Sequence, residues 1–153
     1  TLDTAMFETI ATLKVPYVLM HMQGSPADMH RHTEYDDLFS DIFSALQKRH
    51  AFLTQSGVAD VIIDVGFGFA KTRVQNFELL KHLGRFGAIG APLLTGLSRK
   101  SLVWKTLDCT PEKALNGTTV LNTLALQSGA DILRVHDVRE AVETITLFQK
   151  ASM

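Results

Sequence analysis

The sequence has little of what several classes of protein require. A single cysteine, Cys109, excludes an internal disulfide and a zinc site of several thiolates, and it suits a reducing compartment. No apolar run approaches the roughly 20 residues of a membrane span, and a net charge of -1 creates no basic field for nucleic acid. We therefore expect a cytoplasmic chain whose partner is a small molecule, with no nucleic acid and no membrane.

Hydrophobic residues make up 46% of the 153 positions, a share typical of an ordinary globular domain. Because the sequence has no linker, repeat or low-complexity tract, we predict one domain over residues 1–153 and no second domain. Its start, Thr1 to Thr4, is neither a charged signal segment nor an initiating methionine. We expect the chain to have been cut from a longer one.

Apolar segments with strand character alternate with helical patterns. The predicted strands are residues 17–22, 60–64, 92–95 and 131–136. Helices are predicted over residues 1–14, 37–55, 72–86, 111–128 and 138–150. Asp137 is predicted to cap the last helix, where Val142, Ile145 and Phe148 share one face. This order predicts a parallel sheet with right-handed crossovers.

Four βα units make up half of a (β/α)8 barrel of the TIM type, which usually has about 250 residues. The predicted fold class is therefore α/β, a parallel barrel present as a half-barrel fragment. Standing alone, such a half leaves two strand edges unpaired and exposes the barrel's interior face to water.

Polar and glycine residues follow every predicted strand. The four groups are His21 with Met22, Asp64 with Gly66, Gly96 through Lys100, and Arg134 with His136. Because active sites of such barrels lie at the carboxyl ends of the strands, we expect these groups to converge on one mouth.

Asp64 ends a β-branched strand, so its carboxylate is expected to be buried and to need donors. It is a candidate acceptor for an amidine-like ligand edge, or else a cap for the next helix or a partner of Lys100. The following Val65–Phe69 segment alternates glycine with aromatic residues, which lets the backbone approach a ligand beside a hydrophobic wall. The alternative is an ordinary turn with two core phenylalanines.

Cationic side chains follow the last two predicted strands. Ser98–Ser101 places hydroxyls and two cations at a predicted helix N-terminus, where anions are favoured; the alternative is two solvated bases. Arg134 and His136 are two positions apart, so they leave a strand on the same face and suit a diphosphate. The alternative is an ion pair of Arg134 with Asp131, Asp137 or Glu140. The His21 strand supplies too few ligands for a metal, and no metal-ligating residue is predicted.

Five segments, in this order and spacing, resemble dihydropteroate synthase. They are Val18–Gly24, Tyr35–Asp37, Ile63–Thr72, Gly96–Ser101 and Leu133–Asp137. The resemblance covers essentially the whole chain and implies a (β/α)8 barrel, of which this chain would form the last four βα units. One departure is Val65, where the family commonly has proline; at a turn this change alters backbone stiffness more than ligand contacts.

The resemblance also implies an activity: condensation of 6-hydroxymethyl-7,8-dihydropterin diphosphate with p-aminobenzoate, giving 7,8-dihydropteroate and diphosphate in folate biosynthesis. Sulfonamides would compete for the p-aminobenzoate position. Mg2+ would accompany the diphosphate, with its family ligand outside this chain. The expected partners include a second copy in a homodimer and the missing N-terminal half of the barrel, without which we expect the isolated chain to be incomplete.

Site residues carry over one by one. Asp64 would hold the pterin's amino-pyrimidine edge, with Met20 and Gly96 near the ring and Lys100 on its polar edge. Phe69 and Ser101 would form the p-aminobenzoate site, and Arg134 and His136 would bind the diphosphate. Lys100, Arg134 and His136 are thus the predicted catalytic residues, acting by electrostatic stabilisation and positioning without a protein nucleophile.

Two other functions remain as alternatives. The chain would then be a non-catalytic half-barrel that self-associates, or another pterin-binding barrel such as a corrinoid-linked methyltransferase domain. The latter would share Asp64 but has no need of the Ser98–Ser101 segment.

Overall fold

A computed structural model describes residues 5–152. Its helices and strands are α1 Met6–Leu13, β1 Tyr17–Met20, α2 Leu38–Gln55, β2 Val61–Asp64, α3 Arg73–Lys81, β3 Leu93–Thr95, α4 Ser101–Trp104, α5 Leu115–Gln127, β4 Ile132–Leu133 and α6 Val138–Ala151. The predicted alternation of strands and helices is confirmed, and the helix N-terminus predicted at Ser98–Ser101 belongs to the short helix α4. The predicted start of the first helix at Thr1 lies outside the described residues.

Local sequence signals set several helix boundaries. At the start of α2, Asp37 accepts a 2.7 Å hydrogen bond from the Ser40 amide, as expected of an N-cap residue. At the start of α3, Thr72 and Gln75 form a reciprocal capping box. After α2 the chain turns through Gly57, whose φ of +88° is readily adopted only by glycine.

The strands form one parallel sheet in the order β1-β2-β3-β4. The register pairs Met20 with Asp64, Asp64 with Leu94, and Leu94 with Ile132. Register partners on neighbouring strands project to the same side of a sheet. These four side chains therefore share one face, and the alternate positions share the other.

Within residues 5–152, helices cover one face of the sheet and leave part of the other exposed. On the covered face Leu19, Ile63 and Leu93 are at most 2% exposed and belong to the main core. On the opposite face Val18 is 43% exposed, and Ile62 and Ile132 are only partly buried. This is the interior face that the half-barrel prediction expected to find uncovered.

Two predicted strands are too long. β1 ends at Met20 and β4 ends at Leu133, so the segments up to Met22 and His136 lie beyond the strands. The Arg134 amide still donates to the Thr95 carbonyl at 2.8 Å. Pairing then stops, because the His136 amide donates to the Ser98 hydroxyl instead of a strand carbonyl.

Two predicted helices are interrupted. The pattern over residues 72–86 divides into α3 and a 3-10 segment, Leu83–Ile89. Gly84 and Gly87 weaken an α-helix there, and the tighter spacing buries Leu83 together with Phe86. The helix predicted from residue 111 likewise divides into a 3-10 turn, Pro111–Lys113, and α5.

The predicted details of α6 are partly wrong. Ala141 and Thr144 are its buried residues, whereas Val142 is 56% exposed. Asp137 occupies the N-cap position but makes no side-chain capping bond, because its carboxylate binds Arg99. Within residues 5–152, no helix combines the length and apolar character needed to cross a membrane.

Candidate active site

The carboxyl ends of the strands bring the predicted polar residues together at one edge of the sheet. Lys100, Arg134 and His136 line one cavity with Gly96, Ser98 and Val135. Asp64, at the end of β2, is close enough to Lys100 and Arg134 for both cations to lower its pKa. The predicted convergence is therefore observed for Asp64, Lys100, Arg134 and His136, whereas His21 and Met22 line a separate cavity.

Asp64 is a buried carboxylate, 8% exposed. Its Oδ1 accepts a 2.8 Å hydrogen bond from the Gly66 amide. Burial raises the pKa of Asp64, and the Gly66 hydrogen bond and nearby cations oppose that rise. The carboxylate therefore binds the loop that follows its own strand. It does not cap the next helix, whose N-cap is Thr72. In the described part of the chain no donor is bonded to Oδ2, which leaves that oxygen available to a ligand.

Lys100 lies against the glycine and phenylalanine loop. Its Nζ donates to the Phe67 carbonyl and lies 4.9 Å from the Phe69 ring centroid. A Cβ at Gly68 would lie 3.4 Å from Lys100 Cδ, an ordinary contact, but the φ of +79° disfavours any residue other than glycine there. Phe67 is fully buried in the core and Phe69 only partly. The alternative of an ordinary turn with core phenylalanines is therefore correct for Phe67. Phe69 is still available to form a wall of the site.

Ser98 fixes the orientation of His136. The Ser98 hydroxyl accepts the His136 amide at 3.2 Å and lies 3.0 Å from Nδ1 of the same residue. Nε2 is therefore the ring nitrogen left for a ligand. Gly96 opens the space beside these groups, since a Cβ there would lie 3.7 Å from Lys100 Nζ and 3.9 Å from Arg134 Cβ.

Arg99 links the loop after β3 to the segment after β4. Its Nε and Nη2 each donate to the Asp137 carboxylate at 2.8 Å, forming a two-pronged pair. Its Nη1 donates to the carbonyls of Pro111 and Glu112 at 2.7 Å. Arg99 is therefore not a solvated base. Among residues 5–152 no ion pair joins Arg134 to a carboxylate, so the predicted ion-pair alternative for Arg134 is wrong.

Met20 and Ser101 do not line the cavity of Lys100, Arg134 and His136, and Met20 lines a separate one with His21 and Met22. Met20 is partly buried and is the register partner of Asp64, so both project from the same face. Ser101 is exposed and begins α4 directly after Lys100. Because α4 has only four residues, the predicted helix N-terminus offers little dipole of its own. An anion at this position would be held mainly by the cations.

Sequence reasoning assigned no role to Lys71, and it gave little weight to His21. Lys71 is 8% exposed and His21 4%, and Lys71 Nζ lies 3.2 Å from His21 Nδ1. Burial, with Lys71 and Arg49 nearby, lowers the pKa of His21 to about 3, so the ring is neutral. In the sequence, Lys71 stands between an apolar loop and Thr72, which caps α3. That local pattern does not indicate that the lysine side chain is buried.

Chemically, the site combines a buried hydrogen-bond acceptor with a cationic cavity. The acceptor, Asp64, suits a flat ligand that presents paired N–H donors. Lys100, Arg134 and His136 suit an anion with several oxygens. In the part of the chain that the structure describes, no group of three His, Cys, Asp or Glu residues is placed to hold a metal ion.

Comparison with known proteins agrees with this chemistry. A family model described as "Pterin binding enzyme" matches residues 1–136. The chain belongs to the pterin-binding enzyme family. Within this family, dihydropteroate synthase of Escherichia coli is 38% identical over 149 residues, which cover 96% of this chain and 53% of the relative.

Solved structures support the same fold. Dihydropteroate synthase of Thermus thermophilus in complex with 4-aminobenzoate aligns with a TM-score of 0.95 at 32% identity, covering 99% of this chain and 62% of that one. The Yersinia pestis enzyme in complex with a sulfonamide drug aligns with a TM-score of 0.93 at 36% identity, covering 98% and 55%. The predicted fold class, part of a TIM-type barrel, is confirmed, and the chain spans about half the length of its curated relatives.

Proposed function

We propose that this chain is the C-terminal half of a dihydropteroate synthase. The reaction joins 6-hydroxymethyl-7,8-dihydropterin diphosphate to p-aminobenzoate, producing 7,8-dihydropteroate and diphosphate in folate biosynthesis. The observation that carries the proposal is a cavity shared by Lys100, Arg134 and His136 beside the buried carboxylate of Asp64. An acceptor for a pterin and a cationic site for a diphosphate are thereby neighbours.

In this proposal Asp64 accepts hydrogen bonds from the amino-pyrimidine edge of the pterin. Its Oδ1 is already oriented by the Gly66 amide, so the carboxylate needs little reorganisation on binding. Met20 projects from the same face of the sheet and would contact the ring, while the missing side chain of Gly96 leaves room beside it. Lys100 would bond the ring's polar edge.

The diphosphate would lie against Arg134 and His136. Departure of diphosphate leaves positive charge on the pterin methylene, which the weakly basic amine of p-aminobenzoate then attacks. Arg134 and His136 stabilise the negative charge that develops on the leaving group, and Lys100 positions the pterin. Phe69 and Ser101 would bind p-aminobenzoate. That this family takes such a ligand is supported by the 4-aminobenzoate complex of the Thermus relative and the sulfonamide complex of the Yersinia relative.

Several parts of this assignment rest on the family resemblance. Mg2+ would accompany the diphosphate and neutralise part of its charge, with its protein ligand in the N-terminal half of the barrel. A homodimer and a cytoplasmic location are proposed on the same basis. The uncovered sheet face, on which Val18 is 43% exposed, supports the N-terminal half as a partner, because a closed barrel would shield that face.

The test is an assay for dihydropteroate formation with the purified chain, alone and mixed with a separately produced N-terminal half of the Escherichia coli relative. We expect product when the second half is added, and none when Asp64→Asn replaces the wild-type chain. Absence of product from both wild-type samples would refute a catalytic role for this chain.

One observation favours a second candidate, a non-catalytic half-barrel that self-associates. The uncovered apolar face of the sheet would be shielded equally well by another copy. Sedimentation of the chain with and without the N-terminal half separates the cases. Incorporation of the added half into the sedimenting species supports the synthase, and a self-associated species that excludes it supports the alternative. A corrinoid-linked methyltransferase domain would prefer a methylated pterin to pterin diphosphate in calorimetry.

A further inference from the structure

The ammonium group of Lys71 is a buried cation with all of its hydrogen-bond donors in use. It donates to the carbonyl oxygens of Phe69 at 3.0 Å and Gly66 at 3.2 Å. The third contact is His21 Nδ1 at 3.2 Å. An ammonium has three N–H donors, and the neutral ring of His21 can accept at Nδ1 when its proton is on Nε2.

These contacts hold the two ends of a loop that carries ligand-facing groups. Between Gly66 and Phe69 lie the Phe67 carbonyl, which accepts from Lys100, and the Gly68 amide, which donates to Asn76 Oδ1 at 2.7 Å. The Phe69 amide in turn donates to the Gly66 carbonyl at 3.1 Å. Lys71 therefore anchors the carbonyls at both ends of the segment that contacts Lys100.

We propose that Lys71 is a positioning residue, whose ammonium holds the Gly66–Phe69 loop in the shape that places the Phe67 carbonyl and the Phe69 ring against Lys100. Lys71 needs no contact with substrate for this role. The inference deepens the proposed function, and its binding measurement rests on that function.

Asp64 and Lys100 are the charged groups that act on Lys71, and Arg49 acts on the neutral ring of His21 beside it. Asp64 lies at the end of β2, Lys100 follows β3, and His21 follows β1 with Arg49 of α2 beside it. Burial lowers the pKa of Lys71 to about 7, although Asp64 opposes the shift. Loss of a proton leaves two N–H donors for three acceptors, so one of the three contacts of Lys71 is lost as pH rises through neutrality.

The first test is nuclear magnetic resonance of the chain itself. In the wild type the amide shifts of Gly66, Gly68 and Phe69 should titrate with a midpoint near 7. In Lys71→Met the same amides should be displaced and should not titrate, while Lys81→Met, at an exposed lysine on α3, should match the wild type. Wild-type shifts and titration in Lys71→Met would overturn the proposal.

A second variant covers a failure of Lys71→Met to fold. Lys71→Arg keeps a cation at every accessible pH, so the loop amides should lose their titration near neutrality. Persistence of that titration in Lys71→Arg would also overturn the proposal. If Lys71 had only a general structural role, we would expect no pH-dependent change confined to this loop.

Calorimetry with pterin diphosphate links the loop to ligand binding. Lys71→Met should bind about tenfold more weakly, the effect of losing one net hydrogen bond, under conditions in which the variant is folded. Undiminished affinity in Lys71→Met would refute a role in the site. If the wild-type chain mixed with the N-terminal half does not bind, the proposed function fails, and the amide titration remains a separate test of Lys71.

Discussion

The carbonyl oxygen of His21 occupies the place of the side chain that Gly66 lacks. A Cβ built on Gly66 would overlap that oxygen, far inside van der Waals contact. Gly66 also has a φ of +73°, in the left-handed region. The turn after β2 therefore fits tightly against the end of β1, and this contact positions the amide that binds Asp64.

Gly66→Ala is expected to destabilise the protein strongly. The left-handed conformation alone costs a non-glycine residue about 1–2 kcal/mol, and the clash with main chain adds at least about 1 kcal/mol. Gly57→Ala is the matched control, because Gly57 has a φ of +88° and nothing within 4 Å of the added Cβ. Urea unfolding measures both. Equal losses in the two variants would contradict the close contact.

Asp64→Asn should separate stability from binding. Burial raises the pKa of Asp64, so the folded state binds its proton more tightly than the unfolded state. The stability from this group is present at low pH and is lost as pH rises through the folded pKa. At neutral pH the variant should therefore be at least as stable as the wild type.

The same variant should bind pterin diphosphate at least about a hundredfold more weakly, since two hydrogen bonds to a carboxylate are lost at about 1.5 kcal/mol or more each. Calorimetry and thermal unfolding check the two effects. Asp60→Asn, in an exposed position before the same strand, should change neither. Weak binding together with a lower melting temperature would instead indicate a misfolded site.

Arg99→Lys should disturb the reaction without removing a ligand contact. Lysine cannot reproduce the two-pronged pair with Asp137, so the loop that carries Lys100 and the segment that follows β4 lose their connection. A displacement of about 1 Å at a reacting centre can cost up to about a hundredfold in rate. We expect kcat of the reconstituted enzyme to fall by tenfold to about a hundredfold.

The control for that prediction is Arg139→Lys. Arg139 also binds a carboxylate, Glu143, at 2.9 Å, but on the exposed surface of α6. Exposed pairs contribute little, so kcat should be unchanged. Equal effects of the two substitutions would show that the position of Arg99 near the site has no special importance.

Stability should depend on pH through Lys71. The pKa of Lys71 is lowered from 10.5 to about 7, so between these values the unfolded chain binds more protons than the folded one. Stability from this group therefore rises with pH across that window, by up to about 1.4 kcal/mol per pH unit. Urea unfolding at a series of pH values, wild type against Lys71→Met, measures the difference. An identical pH dependence would show that Lys71 is protonated alike in both states.

Much of the fold followed from local patterns in the sequence. Apolar runs and helical spacing identify the parallel alternation of strands and helices, and Thr72 and Asp37 mark helix starts because capping is a contact within one turn. The errors lie where a distant residue intervened. The Ser98 hydroxyl accepts the His136 amide, so the last strand is shorter than predicted. The Asp137 carboxylate binds Arg99 and therefore does not cap the last helix.

The sequence by itself determined the order of elements and the residue types at the strand ends, because periodicity, capping and glycine placement act over a few positions. Only the tertiary structure decided the environment of those residues. It placed Lys71 between His21 and the Gly66–Phe69 loop and left one sheet face uncovered. Burial and pKa depend on neighbours distant in the chain, and no local pattern records which neighbours meet.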